Sequence, residues 1–396
     1  MIKEIRLKNW KSFEESKLYI DPLTFVIGTN ASGKSNILDA LSFLCDSAKG
    51  IPVNEIAQYT RGGLDWMIRK GADSFTLSVV MDDDGDDLVY SLSCRKNDNS
   101  LQLFFESLEL VSSKTQKSRM LFITDVNGED AGSFSVPVFF YSEKSRQKRL
   151  DLNRQTTVLY QMENLVAIRK VKEAASLVQD GLKNIFILNP IPNHMRDYSQ
   201  LSERLNPDAG NIAGLLAGMN PDDQKRVEKE LTDYVRPLPE KDIKRIWAEK
   251  VGRFKSDAML YCEEEWVNGE KLEIDARSMS DGTLRFIAIV VALLTGKAGS
   301  LLVIEEVDNG LHPSRSQELV NVLNVLGEKS RIDIICTTHN PVLIDTFGHE
   351  MIPFISYVTR SDETGCSVVR LLEDKQNLAK LMASNSVGDL MTEDAL

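Results

Sequence analysis

The chain is 396 residues long, 42% hydrophobic and 27% charged, with a formal charge of −12 at pH 7. That length allows a large core in two or three structural units, and that charge excludes a general polyanion coat, so any nucleic-acid contact has to come from a local basic patch. Five cysteines without a Cys-x-x-Cys pair exclude a disulfide framework and a zinc cluster and fit a reducing cytoplasm, and the longest apolar stretch, Phe286 to Leu294, falls far short of the roughly 20 residues of a bilayer span.

Ile2 to Trp10 and Lys17 to Ile20 read as short strands leading to the apolar run Leu23, Phe25, Val26 and Ile27. Gly28 to Ser35 follow as Gly-Thr-Asn-Ala-Ser-Gly-Lys-Ser, and the spacing of Ile37, Leu38, Ala40 and Leu41 predicts a helix over about Lys34 to Asp46. Strand, glycine-rich turn and helix start in that order form a phosphate-binding loop. Backbone N–H groups wrap phosphate oxygens, the helix start turns its positive end toward them, Lys34 reaches the outer phosphates and Ser35 can ligand Mg²⁺. The candidate binding residues are Asn30, Ala31, Ser32, Gly33, Lys34, Ser35 and Asn36.

Phe75 to Met81, Leu88 to Cys94 and Leu101 to Val111 interleave apolar with polar residues and are separated by acidic or Asn-rich turns, which predicts an antiparallel meander. The Asp82 to Asp87 cluster starts like a calcium loop, but Ser93 stands where a bidentate Glu is needed, so it reads as a solvated turn. From Asn153 to Leu188 apolar residues recur every three to four positions, predicting one long amphipathic helix ended by Pro190 and Pro192. Helical stretches over Asn211 to Met219 and Pro221 to Tyr234 follow, then strands over Ile243 to Val251 and Ala258 to Val267, then alternating helix and strand to about Thr359. The expected organisation is an N-terminal lobe over 1–150, a helical insertion over 151–242, a C-terminal lobe over 243–383 and a tail over 384–396 that is disordered by default.

Leu301 to Ile304 is a buried-strand run ending in Glu305-Glu306, the form of a strand that delivers carboxylates to the edge of a parallel sheet. After a phosphate loop, Glu305 is expected to help hold Mg²⁺, and Glu306 to polarise the water attacking a γ-phosphate. Upstream, Ser280-Asp281-Gly282-Thr283 opens the apolar helix Leu284 to Leu294, either as a plain helix cap or as a second anion-binding end. Downstream, a strand through Ile332, Ile334 and Ile335 ends at Thr338-His339-Asn340.

Gly28 to Ser35, Ser280-Asp281-Gly282, Leu301 to Glu306 and Thr338-His339-Asn340, in that order, resemble the Walker A, signature, Walker B and switch-histidine series of ABC-type ATPases. With the opening Ile5-Arg6-Leu7-Lys8-Asn9-Trp10-Lys11-Ser12-Phe13 and the stretch Glu305 to Pro313, the chain is similar to the RecF, SMC and OLD branch, in particular to the AAA-15/AAA-21 ATPases of bacterial anti-phage operons. The resemblance implies an α/β head with mixed and parallel sheets around the loop, an antiparallel β meander and a helical insertion. It implies two heads sandwiching two ATP molecules, each ATP on the Lys34 loop of one protomer and facing Ser280 and Gly282 of the other, with Glu306, Lys34 and His339 as catalytic residues. Asp281, Glu305 and His312 depart from the usual pattern and point to slow hydrolysis. Gln58 is the nearest candidate for the Mg²⁺-sensing glutamine of relatives, with Arg61 the alternative as a residue lining the site instead.

OLD proteins join this ATPase to a Toprim nuclease, for which the chain after His339 is too short, so the effector is expected to be a separate protein of nuclease type. The cluster Lys144, Arg146, Lys148, Arg149 and Arg154 is either a solvated face or a phosphate-backbone contact for DNA. The functional expectation is an ATPase that dimerises around ATP and gates such an effector in phage defence, with a RecF-like DNA clamp as the alternative.

Overall fold

The structure is a computed structural model and describes residues 1–125, 135–141, 147–165, 169–238, 243–266, 269–312, 315–382 and 385–392. It divides into two compact units, one of Met1–Asp21, Ile27–Ile185 and Ser356–Asp374, the other of Pro22–Val26, Phe186–Ile355 and Lys375–Leu396. The strands in chain order are β1 (Ile2–Trp10), β2 (Phe13–Tyr19), β3 (Leu23–Ile27), β4 (Ser74–Asp83), β5 (Asp86–Asn97), β6 (Ser100–Val111), β7 (Ser118–Thr124), β8 (Ser135–Tyr141), β9 (Gln147–Asn153), β10 (Ile185–Leu188), β11 (Ser199–Gln200), β12 (Ile243–Val251), β13 (Asp257–Glu265), β14 (Lys271–Asp275), β15 (Leu301–Ile304), β16 (Asp333–Thr338), β17 (Ile355–Arg360) and β18 (Ser367–Leu371).

In the first unit the strands run in the order β17-β18-β2-β1-β4-β5-β6-β7-β8-β9. From β4 to β9 each strand pairs antiparallel with its sequence neighbour, so the predicted meander is present and extends three strands further. The Asp82 to Asp87 cluster closes the β4–β5 hairpin, with Asp84 and Gly85 both at positive φ. The phosphate-loop helix α1 (Lys34–Ala48) buries Ile37, Leu38, Leu41, Phe43 and Leu44. Phe43, Trp10 of β1 and Phe75 of β4 form a cluster of edge-on rings with centroids 4.8 to 5.8 Å apart, so helix and sheet are fixed by one aromatic knot. The short helices α2 (Val53–Tyr59) and α3 (Gly63–Met67) follow.

Among the described residues, the stretch read as one long helix breaks into α4 (Val158–Gln161), a 3-10 turn (Met162–Asn164), α5 (Arg169–Lys183) and the strand β10. The apolar spacing is real in α5, where Val171, Ala175, Val178 and Leu182 are buried. Upstream, the backbone N–H groups of Val158 and Leu159 go to the carboxylate of Glu106, and Thr157 caps the helix, so the chain starts a new turn there. Downstream, Ile185 to Leu188 become a strand beside β15, an exchange that an apolar run of four does not reveal.

In the second unit one sheet runs β10-β15-β16-β3, with β15 and β16 parallel, and a smaller antiparallel sheet is built from β11, β13, β12 and β14. The helices α6 (Pro192–Met195), α7 (Ile212–Gly218), α8 (Pro221–Val235), α9 (Asp281–Thr295), α10 (Ser316–Ser330) and α11 (Pro341–Asp345) cover them. Glu228 and Thr232 of α8 accept the backbone N–H groups of Ala248 and Ile246, which ties α8 to β12. The tail is ordered where it is described. After α12 (Leu378–Leu381), α13 (Val387–Thr392) packs on α11 with Leu390 and Met391 buried, and the Gly388 N–H donates to Asp345. Ser386 and Asp389 cap each other across its first turn, and burial of the two apolar side chains outweighs the disorder that terminal position alone suggests. Among the described residues all five cysteines are free, and no helix is long and apolar enough to cross a membrane.

Glu106 is fully buried in the first unit, accepting from Tyr90 Oη at 2.9 Å, Val158 N at 2.6 Å and Leu159 N at 2.8 Å. Burial raises its pKa from 4.5 to about 7, against the pull of those hydrogen bonds. The folded chain therefore holds a proton here that the unfolded chain has released between about pH 4.5 and pH 7, and stability falls as pH rises through that window. This group is expected to remove about 3 kcal/mol over the window, and Glu106→Gln to flatten that slope, as read from urea midpoints at a series of pH values.

Candidate functional site

β3 is buried along its whole length and delivers the chain into the loop at Gly28. Two glycines are required there by contact. A Cβ on Gly28 would lie 2.4 Å from the Val358 carbonyl oxygen, and one on Gly33, at φ +124°, would lie 2.6 Å from Ser367 Oγ. Ala31 between them is left-handed at φ +62° and is held there by Arg360, whose guanidinium donates to the Ala31 carbonyl at 3.1 and 3.2 Å. Ser367 Oγ donates to the Ser32 carbonyl, and Ser12 Oγ lies 2.8 Å from both Ser367 Oγ and Asn36 Nδ2. Asn36 thus braces the loop from behind, while its carbonyl accepts from Trp10 Nε1 at 2.7 Å.

Lys34 is buried and curls back, with Nζ donating to the Gly28 and Thr29 carbonyls at 2.6 and 2.9 Å. Among the described residues Ser32 Oγ is buried without a hydrogen-bond partner, and Gly33 gives α1 no side-chain cap and its first turn no acid. An orphaned hydroxyl, a helix start without a side-chain cap and a backbone cradle that a Cβ would fill fit a bound phosphate chain. Asn30 and Ala31 are exposed on the rim, and Ser35 is half-buried at the helix start. Arg61 Nη2 donates to the Ser35 carbonyl at 3.1 Å and its Nε to Asp39 at 2.8 Å, whereas Gln58 is exposed on α2, so Arg61 is the one of the two candidates that touches the loop helix.

The parallel register of β15 and β16, with Ile304 opposite Cys336, brings the Glu305-Glu306 corner beside Thr337 to His339. Glu306 is left-handed at φ +48°, a conformation costing a non-glycine residue on the order of 1 kcal/mol, and is held by its N–H donating to Thr337 Oγ1 at 2.9 Å. Its carboxylate lies 3.6 Å from His339 Nδ1 and accepts from Asn309 Nδ2 at 3.3 Å. Glu305 is half-buried, its N–H donating to the Leu188 carbonyl. The second unit therefore holds Glu306 and His339 as a pair.

Ser280 caps α9, its Oγ accepting from Thr283 N at 3.1 Å and lying 2.9 Å from Thr283 Oγ1, which accepts from Arg315 at 3.2 Å. A Cβ on Gly282 would lie 2.7 Å from the Gly310 carbonyl oxygen, so glycine is set there by contact with the loop after Glu306. Ser280, Gly282, His312 and Arg315 line an open cavity of about 460 Å³. Asp281, one of the departures from the usual pattern, is paired with Arg196 at 2.6 Å. Arg285, one turn further along α9, is partly buried, which lowers its pKa, while Asp281 and Glu306 act in the opposite sense. Arg285 was legible from its spacing after Asp281; nothing in the sequence links Arg196 or Arg315 to that turn.

Of the basic cluster, Lys144, Arg146 and the Lys148 side chain lie outside the described residues. Arg149 is exposed beside Asp151 at 3.5 Å, and Arg154 is half-buried with Nε donating to the Ser135 carbonyl. Among the described residues no group of three or more His, Cys, Asp or Glu is placed to hold a metal ion.

Residues 23–345 match the family described as "AAA domain, putative AbiEii toxin, Type IV TA system". The chain is similar to an "ATP/GTP phosphatase" of Helicobacter pylori, 23% identical over 370 residues that cover 87% of each protein. It is also similar to the DNA replication and repair protein RecF of Francisella tularensis subsp. mediasiatica, 27% identical over 136 residues that cover 34% of this chain and 35% of that protein. In fold it is similar to an SMC head domain with an extended coiled coil, derived from Pyrococcus furiosus and bound to the C-terminal domain of ScpA. That likeness has a TM-score of 0.52, 12% identity, and covers 97% of this chain and 99% of that one. The chain belongs to this AAA family and is an ATPase, with a fold similar to that of SMC head domains.

The strain at Gly33 carries a consequence. Gly33→Ala is expected to destabilise the fold by about 1–3 kcal/mol and to weaken ATP binding at least tenfold, as read by thermal melting and titration of a fluorescent ATP analogue.

Proposed function

We propose that two copies of this chain close around two ATP molecules and that closure gates a separately encoded effector of nuclease type in defence against phage. The observation that carries this reading is the start of α1, a long helix with no side-chain cap and no acid in its first turn; the start of α9 at Ser280 is assigned as the second phosphate-facing helix end although Ser280 caps it and Asp281 stands in its first turn. Lys34 and the backbone from Asn30 to Asn36 receive the phosphates of the bound ATP. Ser280 and Gly282 face the ATP of the partner copy, so that nucleotide bridges the two chains only in the dimer. Ser35 in the first unit and Glu305 in the second are the residues that would each offer a hard oxygen ligand to Mg²⁺, which when bound would neutralise phosphate charge.

Glu306 accepts a proton from the water that attacks the γ-phosphorus, and the bond to the bridging oxygen breaks to leave ADP and phosphate. His339, 3.6 Å from the Glu306 carboxylate, orients that base and senses the γ-phosphate. Support for a partner comes from the family description, which names a toxin of a type IV system, and from the SMC head, whose structure is bound to a ScpA domain. A second reading, an ATP-controlled DNA clamp, is supported by the RecF relative and the exposed Arg149.

Lys34→Ala is expected to abolish ATP binding. Glu306→Gln is expected to keep binding, slow turnover on the order of 10²–10⁴-fold and accumulate a dimer in sedimentation runs with ATP; turnover at the wild-type rate removes Glu306 from the role of base. Pull-down of the ATP-locked dimer against its genomic neighbours tests the effector reading. ATP-dependent duplex binding that falls with salt and with Arg149→Glu, in the absence of such a partner, favours the clamp.

A further inference from the structure

We propose that Arg196 is the positioning residue of the signature turn, clamping the residues on both sides of Ser280 and cancelling the charge of Asp281 so that a triphosphate can approach. The inference rests on the reading of Ser280 and Gly282 given above and assigns the device that makes their turn usable. Arg196 closes the short helix α6, and its Nη2 donates to the Met279 carbonyl at 2.9 Å and to Asp281 Oδ1 at 2.6 Å, while Nη1 donates to Asn193 Oδ1 at 3.2 Å. The residue before Ser280 and the residue after it are thus held by one nitrogen of a rigid planar fork. Lysine, a point charge on a flexible stem, reproduces the charge of that clamp but not its geometry.

The electrostatics give the clamp its second role. Asp281 is the first residue of α9, where an acid favours the helix dipole, but its side chain is 63% exposed beside the cavity that Ser280 and Gly282 line. Left unpaired, it would repel an arriving triphosphate at the same helix end. The Arg196 side chain, 21% exposed, approaches from the protein side and neutralises the acid without occupying the cavity. Arg315 holds the far side of the turn through Thr283, so the two arginines fix it at both ends.

The test compares Arg196→Ala, Arg196→Lys, Asp281→Asn, the double variant Arg196→Ala/Asp281→Asn and the reference Ser280→Arg. Binding of a fluorescent ATP analogue at dilutions that keep the chain monomeric is expected to stay within about twofold of wild type in the Arg196 variants, because the Lys34 loop is untouched. ATP-driven self-association by sedimentation, and turnover with it, is expected to weaken on the order of tenfold or more in Arg196→Ala, to be intermediate in Arg196→Lys and to return to within about threefold of wild type in the double variant. Rescue by Asp281→Asn is a result that a merely structural arginine does not produce. Should the alanine variant fail to fold, Arg196→Lys with and without Asp281→Asn makes the same comparison. Wild-type association in Arg196→Ala together with its loss in Ser280→Arg overturns the role of Arg196 alone. Wild-type association in both overturns the signature reading and this inference with it.

Discussion

Ser367 Oγ donating to the Ser32 carbonyl, with Ser12 behind it and Arg360 on the Ala31 carbonyl, is the contact set on which the nucleotide site of the first unit depends. A loop that wraps an anion has to aim its N–H groups at one point, which leaves its carbonyls facing outward and needing partners. Side chains from β17 and β18 supply them, with Ser12 of the β1–β2 turn behind Ser367, although β18 lies more than 300 residues away in the chain. With the carbonyls satisfied, the left-handed Ala31 and the two close-packed glycines are stable, and the helix start stays open for phosphate.

The second unit solves a different problem, the concentration of charge around one helix end. Glu305, Glu306, Asp281 and Asp308 lie on short loops, and each is held differently. Asp308 is buried and accepts from Thr338 Oγ1, Asp281 is matched by Arg196, and Glu306 keeps a half-exposed carboxylate facing His339. Glu306, less exposed than Asp281, is the acid that faces a histidine, as the proposed role of base requires, while the more exposed Asp281 is paired with an arginine.

Between them these arrangements show where sequence reasoning is strong. The phosphate loop, the meander, the strand into Glu305-Glu306 and the helix behind Ser280 were legible because each depends on local spacing: alternation for strands, three-to-four periodicity for helices, glycine where backbone approaches backbone. The region 153–188 was misread because its apolar spacing is satisfied by a helix while its ends are captured by distant partners, Glu106 at one side and β15 at the other. The tail was misread in the opposite sense, since Leu390 and Met391 find a surface on α11 that no local pattern announces.

Local chemistry alone thus determined which residues could cradle phosphate, which strand carries acids and in what order the motifs come, because those features arise from neighbours a few positions apart. Tertiary structure alone decided that Asp281 is paired, that Asn36 faces Ser12 and that Glu106 sits buried against two backbone N–H groups, because each contact joins residues separated by 24 to 85 positions. The burial and pairing of a charge depend on the far side of the contact, and only the folded chain supplies it.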